Sequence, residues 1–317
     1  MSKTSSAVAV LMTAGTLAAC GGGSGGDSGG GGGGSTSLTN KQMQWYGHET
    51  AFTGMGVSQA IEGIIVPAIM LAKPDAASVE CDEGGSATGI WTDADDSGAL
   101  SAGDTVALTA TECTFSEDGI PFSGKATVVF DAVSGEVYDD SADWALKATA
   151  TLGAGAMFDD TLASGSLKMD IAHASNGTAA DESDDVNTVK VETPELKLTN
   201  SYGGKTYPVT ITNYASAFAY RAATDTEEFS ALQFTAKGAD PVLGAAFSYD
   251  AKLAKSPLSY SWPKSGFVSG TLETKISTET ITTTFSSTSG NPGTVTFSSS
   301  LGGGTSLTYA QFDDLEP

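Results

Sequence analysis

The residues best suited to chemistry in this chain are the oxygen-bearing side chains of residues 93–104. The segment reads Asp-Ala-Asp-Asp-Ser-Gly-Ala-Leu-Ser-Ala-Gly-Asp. A hard cation such as Ca²⁺ takes six to eight oxygen ligands at about 2.3–2.6 Å, and this spacing wraps oxygens around one centre. Gly98 stands where such a loop must turn sharply, and it has no Cβ to clash there. The spacing predicts a calcium-binding loop.

Residues 93–104 resemble the twelve-residue calcium loop of EF-hands and, more closely, that of dockerin modules. The resemblance implies ligands from Asp93, Asp95, Ser97, the Ala99 carbonyl, Ser101 and Asp104. Asp104 fills the twelfth position, where EF-hands prefer Glu and dockerins commonly accept Asp. Both flanks read as strands instead of helices, which favours a structural clip over a helix-bending switch. The alternative is a metal-free hairpin loop of similar composition.

The beginning of the chain has the layout of a secretory signal, with Lys3 followed by an apolar stretch over residues 7–17. It ends in Leu17-Ala18-Ala19-Cys20, which resembles the bacterial lipobox. The resemblance implies that Cys20 carries a diacylglycerol anchor and begins the mature chain. Gly21 follows where an Asp would favour the inner membrane, so the expected address is the outer membrane, facing the periplasm or the surface. A stray cysteine after an ordinary signal is the alternative.

The other two cysteines form an even pair if Cys20 carries lipid. An exported chain matures in an oxidising compartment, so we expect a disulfide between Cys81 and Cys113. The alternative is two buried free thiols. The predicted calcium loop lies between the two cysteines, so disulfide and metal together are expected to fasten one segment to the sheet.

The charge of the chain excludes some partners. It carries 15 Lys and Arg against 38 Asp and Glu, a formal net charge of −23. Nucleic-acid binding requires clustered basic residues, so neither nucleic acid nor an anionic bilayer surface is an expected partner. The expected membrane contact is the lipid on Cys20, and a protein or glycan partner stays open.

No constellation of catalytic residues stands out. The two histidines, His48 and His173, are too far apart in sequence to suggest a zinc site. We interpret His48 as packing in an aromatic patch and His173 as a surface residue at a strand end. The prediction is a protein that is not an enzyme, although paired carboxylates for hydrolysis stay open among so many acids.

The pattern of apolar residues predicts the elements that position these groups. Residues 57–68 repeat near helical spacing, and Pro67 is expected to kink or end that helix. From about Ile90 onward the pattern switches to alternation, as in 144–152, 196–198, 209–211 and 281–285, with glycine-rich turns between the runs. The predicted fold is all-β and antiparallel, either a sandwich or a curled meander, after one helical segment.

Four segments follow from these observations. They are a signal peptide (1–19), a lipidated cysteine with a glycine-rich tether (20–40), a helical or irregular entry segment (41–78) and a β-rich domain (79–317). The expected function is that of a lipid-anchored envelope protein with a non-catalytic structural or adhesive domain stabilised by calcium. A carrier of apolar ligands with a curled sheet is the alternative, and an envelope hydrolase is the third.

Overall fold

The structure is a computed structural model that describes residues 38–116, 119–137, 141–175 and 182–315. It contains three α-helices, α1 (Asn40–Gln59), α2 (Glu62–Leu71) and α3 (Tyr309–Asp313), and two short 3-10 turns at Glu182–Asp184 and Trp262–Lys264. The strands are β1 (Ser78–Glu80), β2 (Gly84–Thr92), β3 (Thr105–Thr114), β4 (Phe122–Ser134), β5 (Trp144–Leu152), β6 (Met157–Phe158), β7 (Thr161–Ala174), β8 (Val186–Tyr202), β9 (Lys205–Arg221), β10 (Thr226–Asp240), β11 (Gly244–Ser261), β12 (Gly266–Ile276), β13 (Glu279–Thr288), β14 (Asn291–Ser299) and β15 (Gly304–Thr308). The signal peptide, Cys20 and the tether to residue 37 lie outside the described residues.

The strands form one 15-stranded sheet in which neighbours along the chain are neighbours in space. All the described pairings are antiparallel, and short β6 sits beside the main path, pairing with β4 and β7. The all-β prediction is therefore confirmed, with the meander as the arrangement that the sheet adopts. Alternating burial follows the predicted period, as in β5, where Trp144, Leu146, Ala148, Ala150 and Leu152 are all buried.

Helix α1 begins at a capping box and is buried around its circumference. The Thr39 hydroxyl accepts a hydrogen bond from the Gln42 amide, and the Gln42 side chain accepts one from the Thr39 amide, which satisfies donors that a helix start leaves open. Thirteen of its 20 residues are buried, including the run from Gly54 to Ser58. A helix that is buried on all sides must be enclosed. The sheet therefore curls around α1, and α2 continues the same internal segment.

Both helices contact widely separated strands of the sheet. Helix α2 packs on β1–β4, whereas α1 packs on β10 and β12–β15 and on α3. The combined helical stretch Asn40–Leu71 is long and apolar enough to cross a membrane, yet 78% of its most apolar window is buried inside the protein. Its apolar surface is thus already covered by the sheet, as in the core helix of a globular fold.

The break between the helices does not occur at the proline. Helix α1 ends at Gln59 and α2 starts at Glu62, whereas Pro67 lies inside α2, which continues to Leu71. Of the two outcomes expected at Pro67, the end of the helix is wrong, and the kink stays a prediction. The proline removes one backbone donor, and the surrounding apolar packing of Ile64, Ile65 and Ala68 retains the turn.

Glycines allow strands to bend sharply where the sheet curls. Gly165 has φ +141°, and a Cβ there would lie 2.6 Å from the Glu195 carbonyl oxygen of the next strand. The β7–β8 register shifts immediately after it. Gly270 has φ +122° and a similarly close approach to Leu258. Bulges of this kind raise local twist and bend a strand, which a sheet needs in order to wrap a helix.

Buried hydroxyl pairs fix α1 inside the sheet. The Ser58 hydroxyl lies 2.6 Å from the Tyr214 hydroxyl and 2.7 Å from the Ser216 hydroxyl, both on β9. Tyr214 donates to the Gly54 carbonyl at 2.6 Å. Because buried polar groups are costly when unpaired, these bonds select one rotation and depth of the helix.

Two glycines of α1 provide a matched test of this packing. Gly56→Ala is expected to stabilise the protein by about 0.5–1 kcal/mol, since alanine favours helix and the added Cβ meets only Ile120 Cδ1 at 3.7 Å. Gly47→Ala gains the same propensity, but its Cβ would lie 2.5 Å from Phe297 Cε1 and 2.6 Å from Thr283 Oγ1. Overpacking costs roughly 1–3 kcal/mol, so that variant is expected to be destabilised. Urea unfolding measures both, and equal effects would contradict the enclosed helix.

Candidate functional site

The predicted calcium loop is the connection between β2 and β3. Strand β2 ends at Thr92 and β3 begins at Thr105, so the twelve residues form the tip of a hairpin at the edge of the sheet. Asp96 and Gly98 adopt left-handed conformations with φ +57° and +74°. Strand flanks on both sides confirm that the loop is not placed between helices.

Asp93 and Asp95 organise the first half of the loop through backbone amides. Asp93 accepts hydrogen bonds from the amides of Asp95 and Ser97 at 3.3 Å and from Gly98 at 2.7 Å. Asp95 accepts from the Ser97 amide at 3.1 Å. Hydrogen bonds with Ser97 hold the pKa of the Asp95 carboxyl below its ordinary value, so this carboxylate stays ionised. The chain thus curls around two negative side chains.

Asp104, the last residue of the loop, is a buried carboxylate. It is fully inaccessible to solvent and accepts four hydrogen bonds, from the Ala94 amide at 2.9 Å, the Ser101 amide and hydroxyl at 2.9 and 3.3 Å, and the Trp91 indole at 3.2 Å. Its own backbone binds Phe130 of β4. Trp91, which the sequence did not single out, therefore helps to position the candidate ligand.

The three carboxylates converge closely enough to share one cation. Ligand atoms of Asp93, Asp95 and Asp104 all lie within 4.8 Å of one another. Two oxygens that each lie about 2.6 Å from one Ca²⁺ ion can be at most about 5.2 Å apart, so the spacing fits. Asp93 and Asp95 would offer oxygens to such an ion, whereas Asp104 would have to give up one of the four hydrogen bonds that its oxygens already accept.

The remaining predicted ligands lie in the same loop but bind within it. The Ser97 hydroxyl donates to the Ala99 carbonyl at 2.9 Å, and the Ser101 hydroxyl donates to Asp104. The structure therefore brings Asp93, Asp95 and Asp104 together. Ligation by Ser97, Ala99 and Ser101 stays a prediction.

The predicted disulfide lies at the other end of the same hairpin. Cys81 and Cys113 are bonded, with their Cα atoms 5.4 Å apart, and both are buried. The free-thiol alternative is excluded. Cys81 precedes β2 and Cys113 lies near the end of β3, so the disulfide fastens the open end of the hairpin whose tip is residues 93–104.

A second candidate site is an apolar cavity between α1 and the concave face of the sheet. Its volume is about 80 Å³. One wall is a stripe of α1 at helical spacing (Glu49, Phe52, Thr53, Gly56, Val57 and Ala60), and the other is formed by β6–β9 and β11 (Phe158, Thr161, Leu167, Leu196, Leu198, Asn200, Val209, Ile211, Phe247 and Tyr249). Alternation had marked several of these side chains as inward-facing, but sequence gave no signal that they leave a space.

The two histidines are both buried, His48 in helix α1 and His173 in strand β7. His48 is 3% exposed, lines the cavity and packs against Trp45, Phe52 and Phe312, which confirms its aromatic surroundings. The surface assignment of His173 is wrong, since it is 5% exposed and its Nδ1 lies 2.9 Å from Asn187 Oδ1. Its position explains this, because alternation places residue 173 on the same face as Leu167 and Met169.

A buried acid lies near the junction of the two helices. Glu227 of β10 is 7% exposed, and its Oε2 has no hydrogen-bond partner among the described residues. The pKa of Glu227 is raised to about 8, chiefly by burial. Polar contacts with Gln59 and Trp262 oppose this rise, and the neighbouring carboxylates of Glu62 and Asp225 add to it. Burial also raises the pKa of Glu62. Glu227 is therefore protonated in the folded protein at neutral pH.

The raised pKa of Glu227 predicts a loss of stability at alkaline pH. In the unfolded chain this group ionises near its ordinary pKa of 4.5, whereas in the folded protein its pKa is about 8. Stability is fully present below the unfolded pKa and falls as pH rises toward 8, by about 5 kcal/mol in all, because the two pKa values differ by about 3.5. Glu227→Gln is expected to remove most of that loss in unfolding measurements between pH 5 and 9. Glu228→Gln, which alters an exposed ion pair with Arg221, should leave the alkaline loss of stability unchanged. A wild-type dependence of stability on pH in Glu227→Gln would refute the raised pKa of Glu227.

Comparison with known proteins found no relative of this chain. Neither a family model, nor a curated protein, nor a solved structure matches the chain. What the two sites do is therefore inferred from their own geometry.

Proposed function

We propose that this chain is a lipid-anchored envelope protein whose non-catalytic β domain binds calcium in residues 93–104. The observation that carries the calcium proposal is the convergence of Asp93, Asp95 and Asp104 within 4.8 Å at the tip of one hairpin. Both ends of that hairpin are fixed, one by the carboxylate loop and the other by the Cys81–Cys113 disulfide. The bound ion acts as a structural clip.

The position of the loop supports a stabilising role. Strands β2 and β3 remain paired up to Thr92 and Thr105, directly beside the loop. Gly103 and Asp104 bind Phe130 of β4 through backbone hydrogen bonds of 2.8 and 2.9 Å. Bound Ca²⁺ offsets the negative charge of the three neighbouring carboxylates. Holding them together stiffens the β2–β3 hairpin.

The proposed location in the cell envelope is supported by two independent features of the chain. Leu17-Ala18-Ala19-Cys20 resembles a lipobox, and the glycine-rich stretch after it would hold the folded body away from the bilayer. The Cys81–Cys113 disulfide is typical of oxidising compartments. The membrane partner is reached through lipid on Cys20. A protein or glycan partner would meet the polar outer face of the sheet.

The cavity favours a second function, that of a carrier of apolar ligands. A curled sheet with an apolar concave face and an internal helix is the arrangement expected of such a carrier. The cavity lies on that face, and ligand sites are typically concave and mostly apolar with a few polar groups. The polar side chains here are those of His48, Glu49, Thr53, Thr161, Asn200 and Tyr249.

Calcium binding is tested by calorimetry on the full chain carrying Cys20→Ala, which cannot be acylated at that position. Millimolar calcium is expected to raise its melting temperature by several degrees relative to chelator, because the ion binds only the folded loop. The double variant Asp93→Ala, Asp95→Ala should lose this shift. Asp82→Ala, Glu83→Ala removes two exposed charges from the same hairpin and should retain it. Undiminished calcium binding in the loop variant would place the metal elsewhere.

Lipid attachment is tested by detergent phase partitioning of the chain expressed in a Gram-negative host. The wild-type protein is expected in the detergent phase, with an intact mass that includes acyl chains on Cys20. Cys20→Ala should move to the aqueous phase, and the tether variant Ser24→Ala should behave as the wild type. An unacylated wild-type mass would exclude the anchor without affecting the calcium proposal.

A further inference from the structure

The sheet has two edges of different chemistry, β1 and β15, each of which pairs with a neighbour on one side only. An unpaired edge presents backbone N–H and C=O groups on which a further strand can pair. Strand β1 has three residues, and the exposed acids Glu80, Asp82 and Glu83 lie in it or directly after it. Short length and charge protect that edge. Strand β15 has five residues, with neither a charge nor a proline among them.

The backbone of β15 presents hydrogen-bonding groups at the open edge. At the turn between β14 and β15, the Ser299 amide donates to the Gly303 carbonyl at 3.2 Å. Bonded and non-bonded pairs alternate along an antiparallel ladder, so the backbone groups of Gly304 and Ser306 point away from β14. No strand among the described residues pairs with this side of β15.

The apolar layer of the sheet is not closed at this edge. On β14, Val295 and Phe297 are 1% and 0% exposed, whereas their partners on β15, Leu307 and Thr305, are only partly buried. Leu301, in the turn before β15, is 46% exposed and is one of the few large apolar side chains on the described surface. A further strand beside β15 would cover this apolar surface, which is favourable in water.

The charge of the chain favours a second copy as the occupant of this edge. A formal net charge of −23 makes two copies repel each other over most of their surface. No charged residue occurs from 280 to 312, a segment that includes β14, β15 and all of β13 except Glu279. Two copies can therefore meet at this edge without bringing carboxylates together. A basic partner would instead be attracted to the acidic parts of the surface.

We propose that two copies of this chain pair through β15 across a two-fold axis, which joins their sheets antiparallel into one. Such an interface is self-complementary, with Ser306 opposite Ser306 of the second copy and Gly304 opposite Thr308. Antiparallel pairing also keeps Asp313 and Asp314, which follow β15, at opposite ends of the contact. One five-residue strand is a small contact beside the roughly 1,200–2,000 Å² that stable complexes bury, so the dimer is weak. It depends on neither the calcium loop nor the lipid anchor.

The test is analytical ultracentrifugation of the full chain carrying Cys20→Ala, which removes the cysteine outside the disulfide and with it any intermolecular disulfide. The mass is expected to rise from one chain to two as the protein concentration increases. Added salt should tighten the association, because screening weakens the repulsion between two acidic chains. A protein that stays monomeric at millimolar concentration would overturn the dimer, and so would an association that salt weakens.

Variants of Ser306 locate the interface. Ser306→Pro removes the N–H that faces the open edge and leaves the bonds to β14 in place, as edge strands tolerate. It should weaken association by about tenfold or more, whereas Ser306→Ala keeps the N–H and should associate as the parent does. A dimer that survives Ser306→Pro would exclude β15 as the interface.

A charge at the same position tests the contact without altering the backbone. Ser306→Lys makes the chain less acidic but places like charges directly opposite each other, which destabilises a strand pair, so it should also weaken association. Thr88→Lys makes the same charge change at an exposed position of β2, and this variant should associate at least as tightly as the parent. Equal association of the two lysine variants would overturn the proposed pairing.

Discussion

The rest of the structure depends on the enclosure of the apolar segment Asn40–Leu71 by the sheet. A meander of 15 strands in one sheet has an apolar face that no second sheet covers. The two helices cover it, with α2 on β1–β4 and α1 on β10 and β12–β15. Neither part could stay in water alone, because the helices would expose apolar residues on all sides and the sheet would expose its concave face.

The enclosure of the helices by the sheet also explains why the two candidate sites depend on different parts of the fold. The cavity exists because a helix of nearly constant width lies within a sheet of varying curvature, and Gly56 leaves space on the side that faces β6–β9. It therefore depends on the global fold. The 93–104 loop lies at a hairpin tip and is organised by its own backbone amides and by Asp104. Its geometry is local and needs only β2, β3 and β4.

This difference explains how much could be predicted from sequence. Strand alternation followed from apolar spacing, the convergence of Asp93, Asp95 and Asp104 from the resemblance of residues 93–104 to a calcium loop, and the disulfide from the cysteine count in an exported chain. The cavity, the buried His173 and the buried Glu227 depend on which strands meet across the sheet. The helix continues past Pro67 for the same reason, since tertiary packing overrides local propensity. A single sequence has no periodic signal for empty space between a helix and the sheet that encloses it.

Asp104 shows why the loop suits a static clip better than a reactive centre. A carboxylate that is inaccessible to solvent and accepts four hydrogen bonds has little freedom to move. Its bonds to Trp91 and Ser101 hold it in place before any ion arrives. A cation can then approach only from the side of Asp93 and Asp95, which are more exposed. The buried end fixes the geometry of the loop, and the exposed end is the side from which the proposed metal would enter.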